Sequence, residues 1–130
     1  MSTTAIDSDR LAELAVTFAG EILSPGDAAY DECRRIHNGL IDKRPAVIAR
    51  CRGAADIADA IALAQESGSE ISVRGGGHNV AGRSVTEGGV MIDLSLMKGI
   101  HVDPDARTAR AQGASSGASS TERRRCTAWP

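Results

Sequence analysis

Aromatic side chains are nearly absent from this chain: Phe18, Tyr30 and Trp129 make up the whole 2%. Any core must therefore be assembled from Ala, Ile, Leu and Val, and a small core of that kind is marginally stable. No apolar run is long enough to cross a bilayer. The opening residues, MSTTAIDSDRLAELAV, carry acids and lack the basic start and apolar stretch of a secretory signal. Excess charge is also missing. Fifteen Lys and Arg against 17 Asp and Glu leave −2, which excludes the broad basic field of a nucleic-acid or anionic-membrane binder. Cys33, Cys51 and Cys126 are odd in number and share no short spacing, so neither a disulfide framework nor a zinc site is expected. Reduced thiols in a cytoplasmic protein are the simplest reading. There is no internal repeat.

What remains is a chain of 130 residues, 42% hydrophobic and 25% charged, the size and make-up of one modest globular domain. Leu11, Leu14, Ala15 and Phe18 have helical spacing over residues 9–18, with Ser8 or Asp9 as the cap. SPGD at 24–27 is a turn, and a short helix is expected from Ala28 to about Ile36. Pro45 opens PAVIARC, read as a strand over 46–50. The clearest helix spans 56–66, with Ile57, Ala60, Ile61 and Ala64 as its apolar stripe and Gly68 as its stop. EISVR at 70–74 is the next strand. Strand, helix and strand at this spacing make a βαβ unit, so the two strands are expected to be parallel neighbours. GVMIDLS at 89–95 is a further strand, and GIHVDPDARTARAQ reads as two short strands turning at 103–106. After Gly113 the sequence ASSGASSTERRRCTAWP has no Leu, Ile, Val, Met or Phe, so residues 114–130 are expected to be a disordered tail.

The chemistry concentrates in SVRGGGHNVAGRSVTEGGV, residues 72–90. Three glycines leave backbone N–H groups uncovered by side chains, as a phosphate-holding loop requires. The dinucleotide fingerprint G-x-G-x-x-G does not fit. Started at Gly75 it needs glycine where Val80 stands, and started at Gly77 it needs glycine where Asn79 stands. Gly77, Gly82, Arg83 and Ser84 approximate the phosphate loop of NTPases, but arginine replaces its lysine and a turn and strand replace its helix.

A third pattern fits the whole neighbourhood. YDECRRIHNGLIDKRPAVIARC, DIADAIALAQESG, ISVRGGGHNVAGRS and GVMIDLSLMKGIHVDPDARTARAQG occur in order at ordinary spacing. From about Pro25 to Gly113 the chain resembles the N-terminal part of FAD-linked oxidases with a flavin domain of the vanillyl-alcohol-oxidase (PCMH) type, and within these the berberine-bridge-enzyme-like branch. The resemblance implies an α+β fold: the N-terminal subdomain of a PCMH-type FAD-binding domain, with a small βαβ parallel sheet and flanking helices. It divides the chain into an N-terminal helical segment (1–29), a partial FAD-binding domain (30–113) and a tail outside the family pattern (114–130). It further implies that Arg74, Gly75, Gly76, Gly77, His78, Asn79, Gly82 and Ser84 contact FAD. In that family the glycines wrap the pyrophosphate, and the histidine matching His78 is often joined to the 8α-methyl carbon of the flavin, as a neutral imidazole beside the ring edge permits. Read from the residues alone, the plainer role for His78 is a hydrogen bond within its loop, and Arg74 could equally pair structurally.

Other candidates take plain roles. His37 and His101 share no metal-ligand spacing with His78, and no metal is expected. His101 alternates with Ile100 and Val102 as an exposed strand residue, Asp93 caps a turn, and Cys33 and Cys51 act as small buried hydrophobes. Beyond Gly113 the family would continue with another glycine, an apolar helix and a second glycine-rich FAD segment. Here Ala114 and a serine-rich stretch follow, so no flavin role is carried onto Cys126. The expectation is a truncated or frame-shifted FAD-dependent oxidoreductase acting on a small molecule, with its catalytic residues and substrate pocket outside this chain. An exposed apolar sheet edge and poor solubility follow from it. Two alternatives stand beside it: a non-catalytic flavin- or nucleotide-binding module working with a partner chain, and a fragment without function. A yellow protein would separate the first two from the last, and turnover of an electron donor would separate the first from the second.

Overall fold

The computed structural model describes residues 5–116. Helix α1 spans Ser8–Thr17 and strand β1 spans Glu21–Leu23. Helix α2 (Tyr30–Cys33), strand β2 (Val47–Arg50), helix α3 (Ala54–Ser67) and strand β3 (Ile71–Arg74) follow. Strands β4 (Val90–Asp93), β5 (Ile100–Asp103) and β6 (Thr108–Ala111) complete the order. The architecture is α+β, as expected. No helix among the described residues is long and apolar enough to cross a membrane.

Four strands form a sheet in the order β1-β2-β4-β3, with β1 antiparallel to β2 and the remaining pairs parallel. This corrects the sequence reading in one respect: β2 and β3 are parallel but not adjacent, because β4 lies between them. Burial explains the order. All four residues of β4 are buried, so it needs a partner on both sides and cover on both faces. β3 leaves Ile71 and Val73 exposed, a pattern that an edge position tolerates. Strand β1 was not anticipated. Its three residues are too few to show a period, and its pairing is supplied by β2.

α1 and α3 cover one face of the sheet. Leu14, Phe18, Ala60, Leu63 and Ala64 pack there onto Val47, Ala49, Val90 and Ile92. The opposite face holds Tyr30, Ile48, Val85 and Met91. The Tyr30 hydroxyl donates to the Pro45 carbonyl at 2.6 Å, so the chain's one buried phenol is satisfied.

Helix details depart from expectation in ways that packing explains. The cap of α1 is Asp7, ahead of both predicted residues, and its carboxylate accepts from the Asp9 N–H at 3.0 Å. α3 begins two residues early and is rolled slightly: Leu63 takes the buried place expected for Ile61, which is 37% exposed. Its first-turn Asp56 is buried and accepts from the backbone N–H groups of Ala19, Gly20 and Arg52 at 2.9–3.1 Å. One carboxylate thus pins the α1–β1 turn to the start of α3. Gly68 ends α3 at φ +62, the left-handed stop expected of it. α2 is only four residues long, because the chain beyond it is drawn to the glycine loop.

β5 and β6 form a separate hairpin, its turn held by the Asp103 carboxylate accepting from Ala106 N–H at 3.0 Å. Ala114 and Ser115, which the sequence reading put at the head of the disordered tail, are tied down: their N–H groups donate to Met97 and Gln112 carbonyls at 3.1 and 3.0 Å. Residues 117–130 of that tail, with Arg123–Arg125 and Cys126, lie outside the described residues.

Candidate functional site

The three parallel strands end in one register row: Arg50 on β2, Asp93 on β4 and Arg74 on β3. The crevice outside the carboxyl ends of such strands is where open α/β sheets place ligands. The glycine loop, residues 75–89, leaves β3 at this edge.

Two reasons account for the glycines of the run. Gly77 has φ +73, in the left-handed region that side chains avoid. Gly75 and Gly76 do not take positive φ, and close approach accounts for them instead. A Cβ on Gly75 would lie 2.8 Å from the Gly113 carbonyl oxygen, and one on Gly76 would lie 2.8 Å from Cδ2 of His78. Among the described residues, no protein acceptor takes the N–H groups of Gly76, Gly77 or His78. Consecutive free donors beside a glycine of opposite handedness have the make-up of an anion nest. A phosphate-bearing ligand such as FAD therefore fits the residues present.

The other predicted contacts separate into exposed and supporting groups. His78 and Asn79 are exposed, whereas Gly82 and Ser84 are buried. The Asn79 side-chain oxygen accepts from Arg83 N–H and its carbonyl accepts from Gly82 N–H, both at 3.1 Å, so Asn79 closes a turn. Gly82 has φ +72 and abuts Ile41, whose Cγ1 would be 2.8 Å from a Cβ there. Arg74 runs beneath the loop. Its Nη1 donates to the Cys33 carbonyl, and its Nε would be 3.4 Å from a Cβ on Gly77 and has no partner among the described residues. That geometry makes Arg74 a strut between the end of α2 and the loop.

The sequence reading set His37 apart from His78, 41 positions away, because no ligand spacing links them. The fold brings them together: their ring centroids are 4.8 Å apart with planes inclined at 52°. The His37 N–H donates to the Gly77 carbonyl at 2.9 Å, and Asn38 Nδ2 donates to the Val80 carbonyl at 3.0 Å. No local sequence signal announces this pairing.

Asp93 does cap a turn, accepting from the Ser95 N–H at 3.0 Å and the Ser95 hydroxyl at 2.9 Å. Its Oδ2 also faces Arg50 Nε at 3.4 Å. His101 is exposed on the hairpin, as expected. Cys51 is fully buried, and burial pushes its thiol up to about 12; burial raises the half-buried Cys33 as well. Neither thiol is poised to be a nucleophile. Among the described residues, no group of three or more His, Cys, Asp and Glu side chains could hold a metal.

Comparison with known proteins places the chain in a family. The FAD binding domain family matches residues 45–121. Over 98 residues the chain is 41% identical to (R)-6-hydroxynicotine oxidase of Paenarthrobacter nicotinovorans, a match covering 75% of this chain and 21% of that protein. The crystal structure of 6-hydroxy-D-nicotine oxidase from Arthrobacter nicotinovorans superposes with a TM-score of 0.78 at 40% identity, covering 82% of this chain and 24% of that one. Glucooligosaccharide oxidase from Acremonium strictum, described as carrying a 6-S-cysteinyl, 8α-N1-histidyl FAD, superposes at 0.79 with 29% identity, covering 90% of this chain and 25% of that one. The chain thus spans about a fifth of the length of the curated relatives it matches.

Proposed function

The chain belongs to the FAD binding domain family, and from that premise we propose that it supplies the pyrophosphate cradle and the flavin-attachment residue of an FAD-linked oxidoreductase acting on a small molecule. The observation that carries the reading is the run of free N–H groups from Gly76 to His78, ending in an exposed imidazole. FAD, when bound, would supply hydride acceptance from a substrate C–H bond, including one on a carbon bonded to nitrogen, and return of the electrons to dioxygen or another acceptor.

The chain's own residues divide the remaining work. The backbone N–H groups of residues 76–78 would hold the pyrophosphate. Asn79 and Gly82 fix the turn that follows, and Ser84 anchors its exit in the core. Arg74 holds the loop from below. His78 would offer a ring nitrogen to the 8α carbon of the flavin. The histidyl linkage described for glucooligosaccharide oxidase supports that assignment. Cys33 and Cys51, both free thiols, accord with a reducing, cytoplasmic setting.

The test is direct. The chain is incubated with FAD, and flavin fluorescence is followed before and after acid precipitation. Quenching in solution with yellow colour retained in the pellet is expected, and His78→Ala should keep the first and lose the second. Absence of quenching at micromolar FAD would overturn the reading.

A further inference from the structure

We propose that His37 is the positioning residue for His78, orienting the imidazole through direct ring contact. The inference rests on His78 being the attachment residue.

An exposed histidine is ordinarily free to change rotamer. His78 is confined on two sides. Its Cδ2 and Nε2 lie where a Cβ on Gly76 would be 2.8 and 3.3 Å away, so the ring lies against bare backbone. The other boundary is the His37 ring, in tilted contact with centroids 4.8 Å apart and planes inclined at 52°, within the separation at which flat rings attract. His37 is itself held. Its N–H donates to the Gly77 carbonyl at 2.9 Å, and the adjacent Asn38 donates to the Val80 carbonyl at 3.0 Å. These two bonds stitch residues 37 and 38 to the loop on both sides of His78, so the backbone that carries the His37 ring is fixed to the loop that carries His78.

Attachment would exchange an 8α C–H bond for a C–N bond: the methyl carbon and the imidazole nitrogen each give up a proton, the flavin keeps the electron pair, and dioxygen reoxidises it to leave hydrogen peroxide. The contact matters because that bond needs the imidazole lone pair aimed at the 8α carbon. Restricting a nucleophile to a near-attack orientation accelerates such steps strongly. His37 contributes orientation only; the pyrophosphate cradle does not include it.

The experiment compares the full chain with His37→Ala and His37→Phe. The first readout is the FAD-free chain: the ring-proton resonances of His78 are displaced by the neighbouring ring, move to free-histidine positions in His37→Ala, and stay displaced in His37→Phe. The second is the rate at which acid-stable flavin accumulates. On the order of a tenfold slowing is expected in His37→Ala with recovery in His37→Phe, while non-covalent FAD affinity stays the same in all three. Unchanged His78 resonances in His37→Ala, or an unchanged attachment rate, would overturn the inference. If the unsubstituted chain binds FAD yet forms no acid-stable flavin, the attachment reading itself fails, an outcome distinct from an insensitive His37→Ala.

Discussion

Gly76 and His78 share one space: a Cβ on Gly76 would fall 2.8 Å from the Cδ2 of the imidazole two residues on. Gly76 does not need positive φ, so alanine is acceptable to its backbone and only the ring must move. Gly76→Ala should therefore leave stability within about 1 kcal/mol, as substitutions at exposed loop positions do. Acid-stable flavin should fall on the order of tenfold or more, because His78 is turned away from its bonding position. Gly77→Ala is the contrast. At φ +73 it forces left-handed strain of about 1–2 kcal/mol and should lower the unfolding midpoint in urea.

How far these features were legible varies with their range along the chain. α3 was readable because Ile57, Ala60, Ile61 and Ala64 keep a helical period and Gly68 supplies the stop. The glycine loop was readable because R-G-G-G-H is local. The strand order was not, since it depends on β4 being buried on both faces, which is known only once α1, α3 and Tyr30 have been placed. β1 has three residues and no pattern of its own. The His37–His78 contact joins two exposed side chains on separate loops, and composition carries no mark of it. The role of Asp56 is hidden for the same reason: its three donors come from the α1–β1 turn and from Arg52.

Asp56 makes the strongest stability prediction. Removing its carboxylate leaves the N–H groups of Ala19, Gly20 and Arg52 without partners at a site where the side chain is 3% exposed. Asp56→Ala should cost about 2–4 kcal/mol in urea unfolding at neutral pH. A loss below about 1 kcal/mol would mean that water replaces the carboxylate without penalty.

The free edge of β3 makes a prediction about association. Ile71 and Val73 point to the α3 side of the sheet and are 38% and 54% exposed on a strand with no outer partner among the described residues. Such edges pair with other chains unless a charge interrupts them. Val73→Lys should shift the chain toward monomer in analytical ultracentrifugation and raise its solubility, without altering flavin quenching. An unchanged sedimentation profile would show that this edge is not the contact.

The buried thiol of Cys51 links stability to alkaline pH. Burial lifts it from an ordinary 9.0 to about 12. Below pH 9 folded and unfolded chains both keep the proton, and Cys51 adds no pH dependence. Between pH 9 and 12 the unfolded chain releases it while the folded chain retains it. The unfolded state then binds fewer protons, so stability falls as pH rises, by up to about 1.4 kcal/mol per pH unit. Tyr30, raised by its own burial, acts in the same direction. It is present in both the unsubstituted chain and Cys51→Ala, so the difference between them isolates the thiol. Urea unfolding at pH 8, 9.5 and 10.5 should show the steeper decline in the unsubstituted chain. Cys51→Ala should start about 1 kcal/mol less stable at pH 8 and lose less with each step. Parallel declines would mean that the Cys51 proton leaves as readily from the fold as from the open chain, and that the core around Val47, Val90 and Ile92 admits water.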